Sequence, residues 1–230
     1  MTESRRWFGK TKPIAIAAIF DKLAVTIDPR SDLRFASHFE LLVAVVLSAQ
    51  ATDFSVNLAT AKLFPVANTP AAMAALGATG ILPYIRSIGL APTKAKNVAR
   101  LSELLLERHG GQVPDTREAL EALPGVGRKT ANVVLNVAFA QPTIAVDTHV
   151  HRVANRLGIA KTTTPEQTEQ VLLARTPAQH LQHAHHYLIL HGRYTCVARS
   201  PKCPVCPLAK WCPRIGVHEQ VGSRKSKVGS

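Results

Sequence analysis

A lysine and an aspartate lie towards opposite ends of one short stretch of this sequence, between Glu121 and Val150. Lys129 follows a glycine-rich turn, and Asp147 stands one predicted helix later. An amine can act as a nucleophile, and a carboxylate can assist proton transfer, so the pair is suited to covalent chemistry in a shared groove. Each residue also has a simpler interpretation. Lys129 is equally well explained as a cation that contacts phosphate, and Asp147 alone is best explained as a helix N-cap.

The turn before Lys129, residues 123–127 (L-P-G-V-G), cannot continue a helix, because proline lacks an N–H and both glycines can take positive φ. A helical pattern precedes the turn, with Asp115 as its predicted N-cap. Another follows, on which Lys129, Asn132 and Asn136 share a polar face that we interpret as turned toward a site. The pattern predicts a helix–hairpin–helix whose bare amides suit phosphate binding.

All four cysteines fall within 17 residues, with the spacing C-x6-C-x2-C-x5-C: Cys196, Cys203, Cys206 and Cys212. Thiols so close together in a reducing compartment indicate a metal site rather than disulfides. Zinc sites usually combine two C-x2-C pairs, and only one such pair is present here. Proline follows three of the four cysteines, which favours tight loops. The residues alone allow either zinc or an iron–sulfur cluster.

The composition limits the class of protein. The chain has 230 residues, of which 46% are hydrophobic and only 5% aromatic, and strand-like alternation is scarce. This composition predicts an all-α fold. No apolar run is long enough to span a membrane, and no signal peptide is recognisable. We therefore expect a soluble intracellular protein.

The charge indicates the class of partner. The formal net charge is +13, from 28 Lys and Arg against 15 Asp and Glu. Such an excess favours a polyanionic partner, nucleic acid before an anionic membrane surface. The candidates for phosphate contacts are Lys94, Lys96, Arg128 and the basic residues around the cysteines.

Two further turns carry residues of interest. The run 39–47 is apolar on nearly every side, which predicts a central buried helix, and it leads into a polar turn with Gln50. A second tight turn carries Leu90, after which Thr93 is the predicted cap of the next helix. On their own, Gln50 is explained as a solvated loop residue and Leu90 as part of the core.

The motif L-P-G-V-G-R-K-T-A-N-V-V-L-N followed by T-I-A-V-D-T-H resembles the endonuclease III family of bifunctional DNA glycosylases, within the helix–hairpin–helix glycosylase superfamily. The resemblance extends roughly from Ala36 to Cys212. It implies two helical domains with a DNA-binding cleft between them. Residues 31–141 would hold the helix–hairpin–helix, and residues 1–30 plus 142–230 an iron–sulfur loop. It also implies a [4Fe–4S] cluster on the four cysteines, because their spacing is that of the family.

The resemblance further implies base excision repair of damaged double-stranded DNA. Lys129 would displace an oxidised pyrimidine through a Schiff base, assisted by Asp147, and β-elimination would then cut the strand 3′ to the lesion. Attack requires a neutral amine, which we expect partial burial, the adjacent Arg128 and the positive end of the helix dipole to favour at Lys129. Gln50 and Leu90 would fill the space of a flipped nucleotide. The residues that would hold the DNA backbone are Gly125, Val126, Gly127 and Arg128.

His149, beside Asp147, is a further candidate that either contacts phosphate or caps and packs. Two other classes of protein stay open. An adenine-specific monofunctional relative would keep the hairpin, Asp147 and the cysteines but lack a lysine at position 129. A non-enzymatic hairpin protein that binds DNA needs no lysine–aspartate pair. We therefore expect a DNA glycosylase and AP lyase, monomeric, without a membrane partner, in the cytoplasm and associated with the nucleoid.

Overall fold

The computed structural model of the chain describes residues 15–217. Within them there are ten α-helices and two short 3₁₀ turns, and no strand. The helices are α1 (Ile16–Thr26), α2 (His38–Ser48), α3 (Asp53–Leu63), α4 (Pro70–Ile85), α5 (Ala91–His109), α6 (Arg117–Glu121), α7 (Arg128–Phe139), α8 (Thr148–Arg156), α9 (Pro165–Arg175) and α10 (Ala184–Tyr194). The predicted all-α fold is confirmed. None of these helices combines the length and the apolar character needed to cross a bilayer.

The described residues form two compact units. The hairpin unit comprises residues 29–146 and 181–186, and the cysteine unit comprises residues 15–28, 147–180 and 187–217. The domain limits predicted from the sequence stay a prediction, and their ends at 1–14 and 218–230 lie outside the described residues.

Helix α2 forms the centre of the hairpin unit. Every residue of the run 39–47 is buried, so the predicted central helix is confirmed. The helix packs against α3, α5 and α7, and its apolar surface on all sides is therefore covered. Ser37 begins it by accepting the N–H of Glu40. Helix α4 kinks at Gly77, where φ is 64°, and runs along α5.

Threonine side chains begin three helices of this unit, α3, α4 and α6. One of them is Thr116, whose hydroxyl accepts the N–H of Ala119 at the start of α6. The predicted Asp115 cap is therefore wrong, because the helix begins one residue later than expected. The predicted Thr93 cap is also wrong, because α5 already begins at Ala91.

The cysteine unit contains α8, which packs against α9 and buries Val150 and Val153. Helix α1 contributes Phe20, whose ring stacks on His180 with 5.9 Å between the ring centroids. His180 Nε2 also lies 2.7 Å from the Asp21 carboxylate. After α10 the chain continues through residues 195–217, which include all four cysteines and only one 3₁₀ turn.

Candidate active site

The hairpin between α6 and α7 has one glycine whose conformation requires glycine. Gly125 has φ 80°, and a Cβ placed on it would lie 3.0 Å from the Asn97 side chain and 3.2 Å from Val46. Gly127 is different, since its φ is −98° and a Cβ there would meet nothing within 4 Å. Both glycines can take positive φ, but only Gly125 does so. Within residues 15–217, no neighbour requires the small size of Gly127, and the space beside it is open.

The hairpin is closed by its own backbone. The Val126 N–H donates to the Leu123 carbonyl at 3.1 Å, and the Val126 side chain is buried. Gly125 and Gly127 on either side are exposed. Helix α7 begins at Arg128, so the first-turn N–H groups of α7, which have no partner inside the helix, lie directly behind the exposed Gly127. This is the arrangement in which backbone amides bind an anion.

Lys129 is exposed in the first turn of α7, so the prediction of partial burial is wrong. The two asparagines that follow on the same face also differ from the interpretation drawn from the sequence. Asn132 and Asn136 are buried, and both donate to backbone carbonyls: Asn132 Nδ2 to Ile144, and Asn136 Nδ2 to Thr143 at 3.0 Å. The polar stripe is therefore not a face turned toward a site. It anchors the buried extended segment that immediately precedes Asp147 in the chain.

Asp147 is the N-cap of α8, as the simpler interpretation predicted. Its Oδ1 atom accepts the N–H groups of His149 and Val150, each at 2.8 Å. Its other oxygen, Oδ2, lies 3.2 Å from Nδ1 of His149. The Asp147 side chain is still 16% exposed. The cap bonds fix the direction of the carboxylate at the positive end of the helix without closing it off.

The backbone of α10 packs closely against His149. A Cβ placed on Gly192 would lie 3.0 Å from the Cβ of His149 and 3.1 Å from Val153. The absence of a side chain at Gly192 therefore allows α8 and α10 to approach closely. The outer part of His149 stays accessible, with 36% of its side chain exposed.

The two turns that carry Gln50 and Leu90 share a backbone feature. Gln50 has φ 55° and Leu90 has φ 62°, values that non-glycine residues rarely adopt. Both side chains are exposed, and Leu90 keeps 59% of its surface accessible despite being apolar. The simpler interpretation of Leu90 as a core residue is wrong. The turns are neighbours, since a Cβ on Gly89 would lie 3.9 Å from the Gln50 carbonyl.

Lys94 is not available for phosphate. It is buried, with 4% of its surface exposed, and burial lowers the pKa of its ammonium group. Its Nζ donates to the carbonyls of Leu47 and Ala49 at the end of α2. Lys94 is therefore removed from the predicted set of DNA contacts, whereas Lys96 on the same helix is exposed.

The four cysteines are partly buried in the loop after α10 and form no disulfide with one another. Burial raises the pKa of Cys206 and of Cys212, and the charges of other cysteines of the set add to the effect on each. Metal ligation reverses such a shift, because a coordinating thiol is deprotonated by the metal charge. The N–H of Arg214 donates to Cys212 Sγ at 3.4 Å, and His191 Nε2 lies 3.7 Å from Cys206 Sγ.

The four thiols suit an iron–sulfur cluster, because four cysteine thiolates are the usual ligand set of a [4Fe–4S] cluster.

Two arginines of α8 hold the cysteine loop, and neither was predicted from the sequence. Arg152 donates to the carbonyls of Gly192 and Cys196. Arg156 donates to the carbonyls of Val197 and Ala198 and approaches Cys196 Sγ at 3.5 Å. The sequence feature that could have indicated them is their spacing of four residues, which puts both on one face of α8. Helix α8, which Asp147 caps at its N-terminus, therefore also holds the cysteine loop through Arg152 and Arg156.

Comparison with known proteins identifies the family. The family model described as an HhH-GPD superfamily base excision DNA repair protein matches residues 43–178. A second, the iron–sulfur binding domain of endonuclease III, matches residues 196–212. Endonuclease III of Escherichia coli (strain K12) is 60% identical over 184 residues, which cover 80% of this chain and 87% of the relative. The chain belongs to the endonuclease III family.

Other members agree. Endonuclease III of Treponema pallidum (strain Nichols) is 54% identical over 198 residues, covering 86% of this chain and 94% of the relative. A solved structure of a trapped endonuclease III–DNA covalent intermediate superposes with a TM-score of 0.81 at 44% identity, covering 86% of this chain and 94% of that one. The chain is accordingly an enzyme of base excision DNA repair, a DNA glycosylase and AP lyase, that binds a [4Fe–4S] cluster. The predicted family, enzyme class and cofactor are confirmed, and the non-enzymatic alternative is set aside.

Proposed function

We propose that the enzyme binds damaged double-stranded DNA and excises oxidised pyrimidines through a Schiff base on Lys129. The observation that carries the proposal is the position of Lys129, exposed in the first turn of α7 directly behind an anion-binding hairpin. The amine attacks the anomeric carbon of the damaged nucleoside and displaces the base. β-Elimination from the resulting Schiff base then cuts the strand on the 3′ side. The capture of a relative as a covalent intermediate with DNA supports this assignment.

Asp147 acts on the same nucleoside as a carboxylate of fixed direction. It stabilises the positive charge that develops on the sugar as the base leaves, and it assists the proton transfers. Its cap bonds to the amides of His149 and Val150 hold it in place before substrate binds. His149, paired with the outer carboxylate oxygen, contacts the DNA backbone beside the reacting nucleoside.

The hairpin holds the phosphate backbone. Gly125 and Gly127 offer exposed main chain, Val126 closes the turn, and Arg128 adds a positive charge at the start of α7. The open space beside Gly127 supports a close approach of DNA there, because no neighbour among the described residues requires a glycine at that position.

Gln50 and Leu90 occupy the space that the flipped nucleotide vacates. The sugar carbon is hidden in the duplex, so the nucleotide must leave the stack before Lys129 can reach it. Their exposure on neighbouring turns supports this function, since an exposed leucine on a turn is suited to insert between bases.

Cys196, Cys203, Cys206 and Cys212 hold the [4Fe–4S] cluster. When bound, the cluster cross-links a loop that has little regular structure of its own. The exposed basic residues on and beside that loop contact DNA phosphates; they are Arg193, Arg199, Lys202, Lys210 and Arg214. We further propose that the enzyme works as a monomer, in the cytoplasm and associated with the nucleoid, and that residues 31–141 and 1–30 plus 142–230 are its two domains.

Borohydride trapping tests the nucleophile. Reduction of the Schiff base should link the enzyme covalently to DNA that contains thymine glycol or an abasic site. Lys129→Gln should bind the same DNA but give no trapped complex, because the amide cannot form the imine. Lys62→Gln, a change at another exposed lysine, serves as the matched control and should trap normally. Normal trapping by Lys129→Gln would disprove the assignment.

A further inference from the structure

Lys94 carries a buried ammonium group that the proposed chemistry does not use. It lies in the first turn of α5 and is only 4% exposed. Removing an ammonium group from water is unfavourable unless hydrogen bonds compensate. The hydrogen-bond partners of the Lys94 ammonium group therefore indicate the function of the residue.

The Lys94 ammonium binds the end of α2. Its Nζ lies 2.8 Å from the Leu47 carbonyl oxygen and 2.7 Å from that of Ala49. The last carbonyls of a helix have no partner within the helix, and the helix dipole attracts a cation there. Lys94 therefore caps α2 from another helix. Because Ala49 directly precedes Gln50, the second bond fixes the start of the Gln50 turn.

The same residue is bound to the second turn through its backbone. The Lys94 N–H donates to the Leu90 carbonyl at 3.0 Å. One residue thus joins the two neighbouring turns, by its side chain at Ala49 and by its main chain at Leu90.

Both turns have backbone that needs such support. Gln50 and Leu90 have φ values of 55° and 62°, in the left-handed region where non-glycine residues are strained. Strained conformations persist only where the surrounding structure determines them. In one turn Lys94 bonds to the carbonyl of Ala49, next to Gln50, and in the other it bonds to the carbonyl of Leu90. These bonds restrict the backbone of both turns.

We infer that Lys94 is a positioning residue that fixes the Gln50 and Leu90 turns relative to each other, so that both side chains enter the duplex together. The inference rests on the proposed space-filling function of those two side chains. Lys94 contacts neither DNA nor the reacting atoms in this role, and its whole effect passes through the two turns.

Lys94→Met tests the inference, because it removes the ammonium group and keeps an unbranched side chain. Single-turnover excision of thymine glycol should slow at least about tenfold, since a misplacement of about 1 Å can cost on the order of 100-fold. Cleavage of a ready-made abasic site should slow less, because that lesion is easier to extrude. Lys94→Arg, which can still donate to both carbonyls, should restore part of the excision rate.

A matched control separates positioning from general destabilisation. Leu101 is fully buried on the same helix and belongs to neither turn. Leu101→Ala should lower the melting temperature at least as much as Lys94→Met, yet leave the ratio of excision to abasic-site cleavage as in the parent. An unchanged ratio in Lys94→Met would mean that the residue only stabilises the fold, and would overturn the inference.

The decisive measurement repeats Lys94→Met in a Gln50→Ala/Leu90→Ala background. If Lys94 acts through the two turns, its removal should not slow excision further there. An undiminished further loss would overturn the positioning role. If Gln50→Ala/Leu90→Ala itself excises thymine glycol at the parent rate, the space-filling function fails, and that result is distinct from a failure of Lys94 alone.

Discussion

Asp147 has an observed structural role and a proposed catalytic role, which different substitutions can separate. Its carboxylate caps α8 through two amide bonds, and it is the proposed partner of the developing sugar charge. Asparagine caps a helix as well as aspartate does but carries no charge, whereas alanine provides neither the cap nor the charge. Asp147→Asn should therefore keep the stability of the parent and lose excision rate, by about 100-fold if the group acts in general acid–base catalysis.

Asp147→Ala should lose the same activity and in addition about 1 kcal/mol of stability, the usual value for a lost N-cap. Thermal unfolding and single-turnover excision, measured on both variants, distinguish the two roles. If Asp147→Asn were fully active, the carboxylate would be a cap and nothing more.

Residue type and spacing indicated Lys129 and Asp147 as candidates and the four cysteines as a metal site, because these signals are local in sequence. They did not reveal which polar side chains are buried. Lys94 and Asn132 stand at positions that looked like parts of a surface, yet both are buried and donate to carbonyls of other segments. Their partners are 47 and 12 residues away, a relation that helical periodicity does not encode.

At the scale of elements, the sequence predicted the long helices and the hairpin well, and their exact starts less well. The run 39–47 is apolar on nearly every side, which indicates a central helix, and the structure agrees. The start of α5 was missed, because Leu90 begins it in a left-handed conformation without a side-chain cap. The start of α6 was misplaced by one residue, since Asp115 and Thr116 are both good N-caps and sequence does not choose between them.

Helix α8 is the element that holds the cysteine loop, and Arg156 is its principal contact. Arg156→Met removes donors to the carbonyls of Val197 and Ala198 and the contact with Cys196 Sγ. Hydrogen bonds from a charged group contribute about 2 kcal/mol each. The loop should therefore open more often, and a chelator should bleach the visible absorbance of the cluster at least about tenfold faster than in the parent.

Arg175→Met is a suitable control, because Arg175 also donates to a backbone carbonyl of the cysteine unit, that of Ile159, outside the loop. It should leave the bleaching rate unchanged. Equal rates for both variants would show that α8 does not hold the loop in the way its contacts indicate.

At the scale of the whole molecule, the net charge of +13 predicts salt-sensitive binding to undamaged DNA. Each phosphate neutralised by a lysine or arginine releases counterions, so log affinity should fall linearly with log salt, by about 0.9 per contact. The structure shows which of the charged side chains are exposed and therefore able to contact phosphate. Lys202 and Lys210 are exposed on the cysteine loop and Lys96 on α5, whereas Lys94 is bound inside the hairpin unit.

Lys202→Gln should therefore reduce the steepness of the salt dependence by about 0.9, because one phosphate contact is lost. Lys62→Gln removes an equal charge from the exposed surface of α3, outside the proposed contact set, and should leave the slope as it is. Lys94→Met should also leave the slope unchanged, although it slows excision, because a buried ammonium neutralises no phosphate. Titration of undamaged duplex across a range of salt concentrations measures all three. Equal reductions for Lys202→Gln and Lys62→Gln would mean that DNA responds to the total charge of the molecule and not to contacts at the cysteine loop.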